Sequence, residues 1–208
     1  DGAIIIKGVK SLKDNITFDV IPDRIEAGTF MIAVAMCSGK VKLINVDPNH
    51  LGIVTTKLIE SGANINIEKN TLTIQMNKRA KSVDMSTAIY PGFPTDLQAQ
   101  WMALMTTANG SCTVADTIYT DRFTHIAELE RLGAKIHLDS NVAHINGVDV
   151  LYGAPVMSTD IRASASLVIA GLASDSNTEI SRIYHIDRGY ESIEKKFTSI
   201  GGNIKREK

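Results

Sequence analysis

The feature that most constrains this chain is a recurrence. Ser158-Thr159-Asp160-Ile161-Arg162-Ala163-Ser164-Ala165-Ser166 has counterparts at Asp23-Arg24-Ile25-Glu26-Ala27-Gly28 and at Thr95-Asp96-Leu97-Gln98-Ala99-Gln100. In each, an aspartate precedes a run of small and apolar residues, where its carboxylate would accept hydrogen bonds from the unpaired N–H groups of a helix start. Spacing therefore predicts helix caps at Asp23, Asp96 and Asp160. Each predicted helix is followed by a break (Ser38-Gly39, Asn109-Gly110, Ser174 to Asn177), then a β-rich run (Lys40 to Val46, Ser111 to Ile118, Thr178 to Tyr184) and a second helical stretch. That stretch ends at Gly62, Gly133 or Gly202, which lie 39, 37 and 42 residues beyond the three aspartates. Units longer than most solenoid repeats read as βαβ-type modules packed about a pseudo-threefold axis.

Three such units need one sizeable core, and 208 residues with 44% hydrophobic content can supply it. A formal charge of −1 gives no basic excess for nucleic acid, and no apolar run is long enough to span a bilayer. Cys37 and Cys112 make neither a disulfide framework nor a zinc site; they read as buried thiols, and a reduced, cytoplasmic setting fits. His50, His125, His137, His144 and His185 lack metal-ligand spacing and take structural roles, and no glycine loop is built to cradle a phosphate. Neither a metal nor a cofactor is expected.

Residues 1–21 fall outside the threefold register. Their two strand-like runs, Ala3 to Val9 and Asn15 to Ile21, read as closing strands of a preceding domain, and the chain as a fragment of a longer protein. Arg24 to Met36 reads as a helix buried on several sides, and His50 to Ser61 as an amphipathic surface helix. Hairpins are expected around Glu68-Lys69-Asn70 and between Lys135 and Ile145. Lys78-Arg79-Ala80-Lys81 reads as a solvated basic loop, and Asn203-Ile204-Lys205 as a short last strand.

Charged residues near the helix starts carry the chemistry. Aspartate followed by arginine recurs at Asp23-Arg24, Asp121-Arg122 and Asp187-Arg188, with Asp160-Ile161-Arg162 as a variant, and each reads as opening a helix. A cation in the first helical turn opposes the macrodipole by about 0.3–1 kcal/mol. Either an ion pair with the neighbouring aspartate offsets that, or the arginine joins free N–H groups in an anion site. Spacing favours the ion pair. It likewise leaves Asp96 a cap, because a helix start stabilises the charged carboxylate and makes it a weak general base.

The same residues carry a resemblance. Pro94 to Gln100, Thr120-Asp121-Arg122-Phe123, Thr159 to Leu167 and Arg182 to Glu191 resemble the UDP-N-acetylglucosamine 1-carboxyvinyltransferase family of enolpyruvyl transferases, over essentially the whole chain. The resemblance implies an α/β fold, an inside-out α/β barrel domain of three pseudo-symmetric repeats at about 22–75, 95–146 and 159–208. Residues 22–208 would be the C-terminal domain, residues 1–21 a tail of the N-terminal one, and the active site a cleft between the two.

The family reaction moves an enolpyruvyl group from phosphoenolpyruvate to the 3-hydroxyl of UDP-N-acetylglucosamine, releasing phosphate, at the start of peptidoglycan precursor synthesis. By resemblance, Asp96 binds the sugar nucleotide and takes the proton of that hydroxyl, and Ile118 makes a backbone contact to it. Asp160 and Arg188 line the phosphoenolpyruvate side, and Arg122 and Arg162 belong to the charged cleft. Asp23 and Asp121 remain caps. The family's reactive cysteine loop and its lysine-asparagine pair lie in the other domain, and neither Cys37 nor Cys112 matches that cysteine. The fragment alone is thus expected to be inactive, with its own N-terminal domain as its partner. The residues also leave open the shikimate-pathway enolpyruvyl transferase, which shares fold and phosphoenolpyruvate, and a non-catalytic repeat module.

Overall fold

A computed structural model describes residues 3–207 and contains the three units. Their first helices, α1 (Arg24–Cys37), α3 (Gln98–Thr106) and α5 (Ile161–Leu172), pack against one another at the centre. Every residue of α3 is buried, as are ten of α1 and eight of α5, so these helices are core on all sides rather than amphipathic. Asp23 caps α1 as expected, accepting from Ile25 N at 2.7 Å and Glu26 N at 3.2 Å. Asp160 caps α5 in the same way through Arg162 N and Ala163 N.

Three small sheets cover the helices. The first has the order β1 (Gly39–Ile44), β3 (Thr71–Met76), β2 (Asn64–Glu68), all antiparallel. Leu72, Ile74 and Met76 of β3 turn inward and are buried, whereas Lys40, Lys42, Asn66 and Thr73 face outward, the alternation of a sheet with one wet face. The second has the order β4 (Met85–Ser86), β5 (Ser111–Ala115), β7 (Val142–Asn146), β6 (Lys135–Asp139), and the third pairs β8 (Pro155–Met157) with β9 (Glu179–Ser181). The strands entering α3 and α5, β4 and β8, run parallel to those leaving them. Helices inside and sheets outside make this an α/β domain of inside-out barrel form.

The second helices, α2 (Gly52–Glu60), α4 (Ile126–Arg131) and α6 (Ile193–Ser199), all end alike. Gly62, Gly133 and Gly201 have φ of 109°, 94° and 99°, and the following residue donates back to Leu58, Leu129 or Phe197. This left-handed terminus favours glycine. The third equivalent is therefore Gly201, not Gly202.

Several expectations fail locally. Residues 3–22 form no strand among the described residues and are exposed along their length, because a strand needs a ladder partner and none is supplied here. Asn203 to Lys205 is not a strand either, although Ile204 packs on the core. Cys37 is exposed at the end of α1, whereas Cys112 is buried and its thiol is pushed up to about 11, chiefly by burial. The Lys78–Lys81 loop is exposed as expected apart from Ala80, but Arg79 is tied down within it: it pairs with Asp149 and donates to the carbonyls of Thr107, Ala108 and Val148, closing the C-terminal end of α3.

Candidate active site

Asp96 is not a helix cap. Pro94, with φ −71° and ψ 134°, stands at the cap position of the 3-10 turn Thr95–Leu97 that feeds α3, and proline has no side-chain acceptor. This places Asp96 in the second position of the turn, where its carboxylate is directed away from the local N–H groups. It faces two other segments instead. Oδ1 accepts from Arg122 Nη1 at 2.9 Å and from Arg162 Nε at 3.2 Å.

Arg122 comes from the unit of Asp96 itself, Arg162 from the next. Arg122 follows the turn that leaves β5; its Nη1 also donates to Thr95 Oγ1 at 3.2 Å, and its guanidinium lies 5.0 Å from the Tyr119 ring centroid. Arg162 is the second residue of α5, and its Nη1 reaches the Tyr190 hydroxyl at 3.5 Å. The cation opposing the α5 dipole is thus offset by Asp96 of the neighbouring unit rather than by Asp160, which is occupied as the cap. Spacing along the chain could not show a partner 66 residues away.

Burial by itself would push the Asp96 carboxyl up; the guanidinium groups of Arg162 and Arg122 outweigh it and hold the carboxyl below its ordinary value. No hydrogen bond among the described residues reaches the second oxygen, Oδ2. The arrangement is a carboxylate with one oxygen clamped between two cations and the other open, at the seam between the second and third units.

Asp160 stands beside this cluster. Its Oδ2 lies 3.5 Å from Thr124 Oγ1, which in turn pairs with Thr159. Arg188 is exposed at the end of the 3-10 turn Ile183–Arg188 and has no ion-pair partner among the described residues. Its neighbours fix the turn against α5: Ile186 and Tyr190 are buried, and a Cβ at Gly189 would collide with Ile161. Asp187-Arg188 therefore closes a turn rather than opening a helix, and Asp187 is held by Arg206 at 2.6 and 2.9 Å. Asp121-Arg122 opens no helix either, since α4 begins only at Ile126; Asp121 lies in a turn and caps nothing. Ile118 is half-exposed, and its N–H is taken by Asp116 at 3.0 Å.

Three participants, Tyr190, Thr29 and Gln100, escaped the sequence reading. Tyr190 Oη meets Thr29 Oγ1 at 2.8 Å and Gln100 Nε2 at 3.3 Å, so one hydroxyl ties α1 and α3 together and touches Arg162 of α5. His125 is fully buried, with Nε2 3.3 Å from Met102 Sδ; burial pulls it down to about 4, so the ring is neutral near pH 7. Tyr190 stood in a quoted motif, but nothing in the sequence pairs it with Thr29 or Gln100. No group of three or more His, Cys, Asp or Glu among the described residues is placed to hold a metal ion.

Residues 1–197 match the family described as EPSP synthase (3-phosphoshikimate 1-carboxyvinyltransferase). The chain is 50% identical over 212 aligned residues to the UDP-N-acetylglucosamine 1-carboxyvinyltransferase of Geobacter metallireducens, covering 100% of the chain and 51% of that protein. It is 51% identical to the enzyme of the same name from Geotalea daltonii, covering 99% and 50%. The chain thus spans about half the length of the curated relatives it matches. Among solved structures, the enolpyruvyl transferase NikO from Streptomyces tendae superimposes with a TM-score of 0.80 at 24% identity, over 89% of this chain and 44% of that one. EPSP synthase from Acinetobacter baumannii follows with 0.69 at 14%, over 91% and 45%. Both have the fold described above.

Proposed function

This chain belongs to the EPSP synthase family of enolpyruvyl transferases, and on that premise we propose that it forms one half of a UDP-N-acetylglucosamine 1-carboxyvinyltransferase. The observation that carries the reading is the convergence of Arg122 and Arg162 on one oxygen of the Asp96 carboxylate, from three motifs far apart in sequence, with the second oxygen left open. The identity of about 50% to relatives of that name supports the sugar nucleotide as acceptor.

The chemistry follows from the charges. Phosphoenolpyruvate carries a phosphate and a carboxylate, and arginine forks suit both. Arg188, unpaired among the described residues, is available to such an anion at once, while Arg122 and Arg162 must be drawn from Asp96. As they move to the anion, Asp96 loses the charges that depress its basicity and becomes a better acceptor for the 3-hydroxyl proton. The hydroxyl oxygen then bonds to C2 of the enolpyruvyl group while C3 takes a proton. Loss of that C3 proton and of phosphate restores the double bond and leaves the enolpyruvyl ether. Asp160 fixes the start of α5 and hence Arg162, and the Ile118 carbonyl contacts the sugar nucleotide.

The remaining half of the site belongs to an N-terminal domain like that of the relatives, which would carry the reactive cysteine and the lysine-asparagine pair. Residues 3–22 lead from that domain into α1. A cytoplasmic setting is part of this reading; no helix among the described residues is long and apolar enough to cross a membrane.

The test is phosphate release from phosphoenolpyruvate plus UDP-N-acetylglucosamine, for this chain alone and for the same chain joined to the other half that its relatives carry. Turnover in the joined protein only is the expected result. A correctly folded joined protein that releases no phosphate would overturn the reading.

A further inference from the structure

The most buried carboxylate among the described residues lies just behind Asp96 and makes no direct contact with it or with the two arginines. Asp116, at the end of β5, is 0% exposed. Its Oδ1 accepts from Thr87 Oγ1 at 2.7 Å, Tyr119 N at 2.9 Å and Ile118 N at 3.0 Å, and its Oδ2 accepts from Thr95 Oγ1 at 2.6 Å. All four partners are neutral donors, so the pocket fits an acceptor-only group. Thr87 Oγ1 in turn accepts from Thr117 N at 2.9 Å, and the Thr117 hydroxyl donates to the Thr87 carbonyl. The carboxylate gathers the end of β4, the turn leaving β5 and the residue before Asp96 into one network.

Thr95 is the link to the site. A hydroxyl has one proton, and here it points at Asp116. The Thr95 oxygen is therefore free to accept from Arg122 Nη1, the same nitrogen that donates to Asp96. We propose that Asp116 is a positioning residue: by fixing the direction of the Thr95 hydroxyl it holds the Arg122 guanidinium on Asp96, and by clamping the Ile118 and Tyr119 N–H groups it presents the Ile118 carbonyl to ligand. Charge rather than shape is what matters. An asparagine turned one way directs its NH2 at Thr95, whose proton must then swing toward the Arg122 N–H; turned the other way, it directs the NH2 at two backbone N–H groups.

The readout is the titration of Asp96. The charged and titratable groups around it are Arg122 from the turn after β5, Arg162 and Asp160 from the head of α5, Tyr119 over Arg122, neutral His125, and Tyr190 behind Arg162. Loosening Arg122 removes one of the two cations that hold the carboxyl low, so Asp96 must titrate at higher pH. A structural defect elsewhere leaves that titration unmoved.

This inference refines the reaction proposed above, and its test separates the two. In the joined protein, the Asp96 carboxyl carbon is titrated by NMR and kcat/KM is measured for wild type, Thr95→Val, Thr95→Ser and Asp116→Asn. Thr95→Val keeps the shape and deletes the hydroxyl. It should move the Asp96 titration upward, shift the acid limb of the pH–rate profile the same way and lower kcat/KM roughly ten-fold, the loss typical of one hydrogen bond to a charged group. Thr95→Ser should restore all three. Asp116→Asn should reproduce Thr95→Val and also raise KM for the sugar nucleotide through the freed Ile118 turn; if it does not fold, the Thr95 pair decides. A folded Thr95→Val whose Asp96 titrates as in wild type overturns the inference, whatever the turnover. A wild type without turnover, in which Thr95→Val still moves Asp96, upholds the relay and removes the reaction.

Discussion

Asp23 at the head of α1 and Asp96 at the head of α3 occupy corresponding places in the repeat, yet they are used differently. Asp23 directs both its hydrogen bonds to its own helix, at Ile25 N and Glu26 N. Asp96 makes none to α3 and reaches Arg122 and Arg162 from the two following segments of chain. The difference originates one and two residues upstream. In the first unit the cap position is aspartate, followed by Arg24 at the first helical position. In the second it is Pro94, and a 3-10 turn moves the aspartate past the point where a cap can form. A repeat can thus keep its helices and glycine ends while one position is released from folding and becomes available to a ligand.

The sharpest way to break that comparison is Asp96→Asn in the joined protein. A positioned general base contributes roughly 10²- to 10⁴-fold, and turnover should fall within that range. Thermal stability should stay close to wild type because Asp96 caps nothing and its side chain is 39% exposed, so water screens the two arginines it leaves behind. A large fall in the melting temperature would mean that Asp96 is structural after all. Unchanged turnover would remove it as the proton acceptor.

Arg188→Ala sharpens the same comparison from the cation side. Arg162 is committed to Asp96 and Tyr190, whereas Arg188 is exposed without an ion pair among the described residues. Removing it should leave stability within about 0.5 kcal/mol, as for an ordinary surface substitution. The apparent affinity for phosphoenolpyruvate should fall roughly ten-fold, since one charged hydrogen-bond donor is lost. If steady-state kinetics show KM for phosphoenolpyruvate unchanged, Arg188 is not part of the anion site.

What the sequence made legible was local chemistry. The caps at Asp23 and Asp160, the buried character of α1 and the glycine ends all depend on groups within a few residues of one another, and all are present in the structure. Asp96 was misread by spacing because Pro94 changes the helix entry, a two-residue effect that the three-unit alignment averaged away. The Arg79 clamp and the Tyr190 hydroxyl lay beyond reach for another reason. Arg79 meets Val148 from 69 residues away, and Tyr190 meets Gln100 from 90 residues away, so neither leaves a periodic trace. The strand-like alternation in residues 3–22 was a true propensity without a partner, and pairing, not propensity, makes a strand.

The smallest expected effect tests the other side of the comparison. If Asp23 is only a cap, Asp23→Ala should destabilise the protein by about 1 kcal/mol. For a domain of this size that lowers the melting temperature by about 2–4 °C. Asp23→Asn should stay near wild type, because an amide oxygen can accept from Ile25 N and Glu26 N as a carboxylate oxygen does. Turnover in both variants should fall far less than in Asp96→Asn. The Ala and Asn variants separate geometry from charge. Equal loss of stability in the two would show that the negative charge at the α1 terminus matters more than the cap. Loss of turnover comparable to Asp96→Asn would place Asp23 in the cleft, so that the first unit, like the second, would have an aspartate facing the substrate.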